Sequence, residues 1–176
     1  MIPTARDTAF LLRQGKLIGL ADETGWSVAA DPINDAAVER LLQLHQGTPG
    51  ALPLTVLIDK TDLLGMYVQN VPEVAWDIVE FAEKPLTVLY GPGKNLSPVL
   101  LNQQTTIAVR RVLQADVQRL INSFGRGLLT LSFEAAALPP AAVELTVGTY
   151  GTPATPLRKP RIMRLGVNGE LEFIRK

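Results

Sequence analysis

Two apolar rhythms alternate along the chain. Short continuous runs at 17–20, 54–58, 86–90, 106–112 and 128–132 read as buried strands. Between them lie stripes at helical spacing. Ala9, Phe10, Leu11 and Leu12 belong to a first helix stopped by Gly15. Asn34 is placed to cap a second, with Val38, Leu41, Leu42 and His45 at helical spacing and Gly47 just past its end. Pro72 opens a third, predicted to turn Val74, Ile78 and Phe81 to one face. A fourth covers 115–124, with Val117, Leu120, Ile121 and Phe124 inward and Gly125 ending it. The tail reads as a hairpin, 161–165 and 171–174, with Asn168-Gly169 supplying the positive φ angles of a tight turn. Residues 148–160, rich in Pro, Thr and Gly and without an apolar period, read as a mobile loop.

Strands alternating with helices define an α/β protein. A chain of 176 residues suits one domain over 1–176, large enough to bury a core without disulfides or metals. At 47% hydrophobic and 19% charged residues, the composition is that of a globular chain.

Charge and cysteine content narrow the chemistry. Lys plus Arg and Asp plus Glu each number 17, so no global field draws the protein to nucleic acid or an anionic membrane. A local cationic group is left in the tail: Arg158, Lys159, Arg161, Arg164, Arg175 and Lys176, read either as a solvated surface or as an RNA-binding patch. The absence of cysteine excludes thiol catalysis, iron–sulfur clusters and disulfides. No basic segment followed by an apolar run opens the chain, and no apolar stretch approaches about 18 residues, so a cytoplasmic protein with no membrane partner is expected.

Three local features invite chemical readings. The loop Gly91-Pro92-Gly93-Lys94-Asn95 follows a strand, but a phosphate loop needs glycine where Val88 stands and Ser or Thr where Asn95 stands, so it reads as a turn. His45 is the sole histidine, which leaves multi-histidine metal sites and a Ser-His-Asp triad unsupported and favours a structural role. Asp22 and Glu23 directly follow a strand, where open α/β sheets place ligand loops, and a solvated turn is the other reading.

A chain-long resemblance joins these elements. LADETGWSVAADP (20–32) is similar to the Y-P-T-E-T-V-Y-G-L-G-C-D-P signature of the YrdC/YciO family, with Glu23, Thr24, Asp31 and Pro32 matching and Trp26 replacing an aromatic. AVERLLQL (37–44) resembles A-V-x-R-L-L-x-L, and PLTVLI (53–58) fits the continuation. Pro85-Leu86-Thr87 resembles the end of P-G-P-x-T, and Ala108-Val109-Arg110 the A-V-R strand. LLTLSFE (128–134), with Pro139-Pro140 behind it, resembles L-V-S-T-S-A-N-L-S-G-x-P-P, and FIRK (173–176) looks like a final I-L-R.

The resemblance implies a fold and a function. The fold is a single-domain twisted mixed sheet with flanking helices, YrdC/RibB-like, around a groove. Family members are L-threonylcarbamoyladenylate synthases, which join threonine, bicarbonate and Mg-ATP for tRNA modification, or are described as binding double-stranded RNA. The implied partners are thus a small-molecule nucleotide or amino acid, and double-stranded RNA or tRNA, with no metal bound by the protein alone. Carried onto this chain, the implied binding residues are Glu23, Thr24, Arg110, Thr130 and Ser132, with Arg110 placed to hold a carboxylate. Catalytic residues are not assigned. Yet the family's K-x-R-P falls on His45, Gln46, Gly47 and Thr48, and a further lysine on about Leu52. Lys84 replaces a glycine, Glu134 the asparagine paired with Ser132, and the late S-T falls near Pro160 and Arg161. The expectation is therefore a divergent YrdC-like protein whose groove binds a nucleotide-like ligand or RNA, with a degenerate ATP site. An active synthase with rearranged cations and a non-catalytic scaffold are the alternatives.

Overall fold

The computed structural model describes residues 3–176. Met1 and Ile2, with which the stretch read for a leader begins, lie outside the described residues. The elements run α1 (Ala5–Arg13), β1 (Leu17–Asp22), β2 (Gly25–Ala30), α2 (Asp35–Gln46), β3 (Thr55–Ile58), α3 (Leu64–Tyr67) and α4 (Glu73–Glu80). Then come β4 (Leu86–Tyr90), α5 (Pro98–Leu101), β5 (Ile107–Arg111), α6 (Ala115–Phe124), β6 (Leu128–Ser132) and α7 (Pro140–Leu145). The chain closes with β7 (Thr146–Tyr150), β8 (Arg161–Leu165) and β9 (Leu171–Arg175).

The strands form one nine-stranded sheet in the order β7-β1-β2-β6-β3-β5-β4-β8-β9. It is mixed, as expected: β1/β7, β3/β5 and β4/β8 are parallel and the other neighbours antiparallel. Alternation along the strands sorts the core into two layers. Val56, Ile58, Val88, Val109, Leu129 and Leu131 pack against α2, α3, α4, α5 and α7. Leu20, Ala29, Leu57, Val112 and Leu128 pack on the opposite face against α1 and α6.

Helix ends follow their caps. Asn34 accepts a hydrogen bond from the Ala37 N–H at 2.9 Å, which starts α2. Arg13 donates to the Ser123 and Phe124 carbonyls at 2.8 and 3.0 Å, a cation at the C-terminus of α6 that ties the two helices together.

Three expectations are corrected. Helix α4 buries Ala75 and Val79, whereas Phe81 is 76% exposed and Val74 is also exposed. Arg111 from β5 donates to the carbonyls of Val79, Glu80 and Ala82 and so fixes the rotation of the helix, while the smaller pair lets it lie close on the sheet. Asn168 does not have a positive φ; Gly169 alone does, at +90°, in a turn closed by Gly166 N–H to Glu170 O at 2.8 Å. Gly47 stands just past the end of α2, as expected, at φ −85°. Residues 146–150, half in the expected loop, form the edge strand β7 instead. Beyond them, residues 151–160 are held against the first hairpin by Ala154 N–H to Asp22 O at 3.4 Å and Arg158 N–H to Glu23 O at 2.9 Å.

Candidate binding cleft

On the α1 and α6 face, the middle of the sheet is left without a helix above it. Register puts polar residues there side by side: Thr130 is opposite both Thr55 and Ala29, Ser132 opposite Ser27, and Thr87 opposite Arg110. Thr55, Thr87, Arg110, Thr130 and Ser132, with Leu52, Pro53, Leu89, Pro160 and Ile162, line a closed-down cleft of about 20 Å³. That is room for about one water, so a larger ligand enters only if Pro160 or the 52–53 segment moves.

Arg110 is the floor of the cleft and is 4% exposed. It reaches a tight hairpin in which Glu23 and Thr24 are the two turn residues between Asp22 and its partner Gly25. Gly25 sits at φ +110°, and a side chain there would collide with the Ala135 backbone, the nearest atom being 2.7 Å from an added Cβ. Asp22 divides its carboxylate between two tasks. Oδ1 accepts from the Thr24 N–H and hydroxyl, both at 2.7 Å, and Oδ2 accepts from Arg110 at 2.7 Å. Glu23 accepts from Arg110 at 3.1 Å and from the Leu113 and Gln114 N–H groups at 2.8 and 3.3 Å, at the start of α6. Burial works to lower the Arg110 pKa, but the Asp22 and Glu23 carboxylates outweigh it, and the guanidinium titrates above its ordinary value.

The five implied binding residues therefore split into two layers. Arg110, Thr130 and Ser132 line the cleft; Glu23 and Thr24 do not, and stand behind Arg110 instead. Asp22 and Glu23 are buried, not a solvated turn. The Thr130 hydroxyl donates to the Thr55 carbonyl at 2.9 Å, so it is spent on backbone, while the Ser132 hydroxyl accepts from the Glu134 N–H at 3.3 Å and keeps its own proton to donate. Thr55 and Thr87 were not singled out from the sequence as site residues. A hydroxyl at alternate positions within an otherwise apolar strand, as in LTVLI and LTVLY, is the signal that marks them.

Apart from Arg110, and Arg175 at the rim beside Pro160, the cations do not gather here. Lys84 lies across the sheet, beside Ile78, Phe81 and Met163. Arg164 pairs with Glu172 at 3.4 Å, Arg161 lies over the Phe173 ring, and Arg175 pairs with Glu134. His45 bonds the Leu52 carbonyl through Nε2 at 2.9 Å, a structural tie between the end of α2 and the cleft wall. Gly93 and Lys94 are held by backbone contacts to Tyr67 and Val68, as a turn. No group of three or more carboxylate or histidine side chains suited to a metal occurs among the described residues, nor does a helix long and apolar enough to cross a membrane.

This arrangement is that of a known fold family. The Sua5/YciO/YrdC family model, described as "Telomere recombination", matches residues 10–147. A Chromohalobacter salexigens protein named threonylcarbamoyl-AMP synthase is 31% identical over 138 residues, covering 77% of this chain and 73% of that protein. The chain belongs to the Sua5/YciO/YrdC family. Escherichia coli YciO superposes with a TM-score of 0.77 at 16% identity, covering 98% of this chain and 88% of that one. P. abyssi Sua5, crystallised with L-threonine, gives 0.75 at 21% identity; this chain covers half of it, with 92% of its own length aligned. These two likenesses speak for the fold.

Proposed function

We propose that the cleft of this YrdC-type protein takes a small zwitterionic ligand of the L-threonine kind, and that it is poorly suited to a triphosphate. One observation carries the reading: the two cations at the cleft, Arg110 and Arg175, are both ion-paired within the chain. A zwitterion brings its own balanced charges to such a site, where Thr87 and Ser132 offer hydroxyls and Arg110 retains unspent N–H groups on its outer edge. A triphosphate brings three or more negative charges and finds them unmatched. The L-threonine bound in the P. abyssi relative and the synthase names of the bacterial relatives support the ligand class. The residues present do not fit Mg-ATP, because the Glu134 carboxylate is taken by Arg175, those of Asp22 and Glu23 by Arg110, and the family's three cation positions carry His45, Gly47 and Leu52.

Three missing charged contacts at about 1.5–3 kcal/mol each remove roughly 4–9 kcal/mol, or three decades of affinity or more. Calorimetric titration is expected to show saturable L-threonine binding, with ATP binding at least about a thousandfold weaker than to the C. salexigens protein. ATP affinity within tenfold of that relative would overturn the reading. The tail gives RNA binding less support, since of its cations only Arg158, Lys159 and Lys176 lack an ion-pair or ring partner among the described residues.

A further inference from the structure

The tail arginine Arg175 reaches the mouth of the cleft. Its cross-strand partner is Ile162, a cleft residue, and paired residues in an antiparallel ladder share a face. The guanidinium grips two separate edges of the opening. It meets both oxygens of Glu134 at 2.9 and 2.5 Å, and it donates to the Pro160 carbonyl from Nε at 3.1 Å and from a terminal nitrogen at 2.7 Å. Pro160 is itself a wall of the cleft. Glu134 lies two residues beyond Ser132 and holds a left-handed backbone, φ +50°, which points the carboxylate side of that segment back toward β9. The pair is reached from the arginine side: the Arg175 side chain is 31% exposed, that of Glu134 11%.

We propose that Glu134 masks Arg175 at the mouth of this cleft, so that a phosphate-bearing ligand can reach the guanidinium only by displacing the Glu134 carboxylate. The inference rests on the reading of the cleft as a small-molecule site. Glu134 is a tethered competitor, present at an effective concentration that a dissolved ligand reaches only in the millimolar range. The Pro160 carbonyl keeps its own donors, Nε and a terminal nitrogen, through that exchange, so the guanidinium stays anchored at the cleft wall while its Glu134-facing edge changes partner. A bidentate guanidinium matches two phosphate oxygens as well as it matches the carboxylate it leaves. Glu134 is thus a specificity-determining residue, excluding polyanions while leaving a zwitterion admissible.

The test is calorimetric titration at low salt with inorganic tripolyphosphate as the probe and L-threonine in parallel. Glu134→Gln keeps the side-chain shape and removes the competitor, and should bind tripolyphosphate about tenfold or more tightly than the unsubstituted protein. Glu134→Asn is the second variant should the first fold poorly. Adding Arg175→Ala to either should abolish the gain, because the gain belongs to the unmasked guanidinium. No gain in the Glu134 variants overturns the proposal, as does a gain that survives Arg175→Ala, which would come from removing a negative charge alone. If L-threonine binds throughout while tripolyphosphate shows no gain, the mask fails and the cleft reading stands. If neither probe binds any variant, both fail.

Discussion

Arg110→Ala is expected to lower the unfolding free energy by about 3–5 kcal/mol, because it strands the Asp22 and Glu23 carboxylates in the interior without their cation. For a chain of this length that is a fall in melting temperature of roughly 6–20 °C. The origin of the loss is testable within the same series. Asp22→Asn and Glu23→Gln, introduced together with Arg110→Ala, remove the stranded charges and should restore a large part of the stability, whereas each alone in the wild-type background destabilises. A melting temperature unchanged by Arg110→Ala would mean that the ion triad contributes nothing to the fold. Arg110 joins β5 to the first hairpin and, through Glu23, to the start of α6, so loosening should be felt in all three, visible as faster amide exchange at Leu113 and Gln114.

The second large effect is a gain. His45→Lys with Gly47→Arg should strengthen ATP binding by about tenfold or more, by returning cations to positions where the family pattern has them. The backbone permits it. Gly47 sits at φ −85°, and an added Cβ would meet nothing closer than the Gln43 carbonyl at 3.6 Å, an ordinary contact. Replacing His45 gives up its bond to the Leu52 carbonyl, so a modest stability loss of about 1 kcal/mol should accompany the gain. Titration of ATP into the double variant checks the expectation; affinity equal to that of the unsubstituted protein would mean that the end of α2 does not face the ligand.

Much of the frame was legible because it rests on local signals. The strands β4 and β6 and the helix α6 fall on the residues where periodicity put them, and Asn34 caps α2 as its position in the sequence suggests. The resemblance motifs converge as well: the Glu23-Thr24 turn and Arg110, far apart in sequence, meet in one cluster. Other features have no local signal. β2 carries Gly25, Ala29 and Ala30, poor strand formers that are held in place by β1 and β6 on either side. The four-residue helices α3 and α5 are too short for a helical stripe to show. The inward face of α4 is chosen by Arg111, which the helix's own sequence does not contain. Least legible was the pairing state of the cleft. Arg110 finds Asp22 across 88 positions of sequence and Arg175 finds Glu134 across 41, and both pairings depend on strand order. Composition counts those charges, but only the fold cancels them against one another.

The central claim is that this chain keeps the family's cleft while its cations are committed internally. It is tested most directly by pyrophosphate release from purified protein supplied with L-threonine, bicarbonate and Mg-ATP, run beside the C. salexigens threonylcarbamoyl-AMP synthase. The account predicts release at the level of the protein-free blank under conditions in which that relative turns over. Robust release that depends on L-threonine would contradict it.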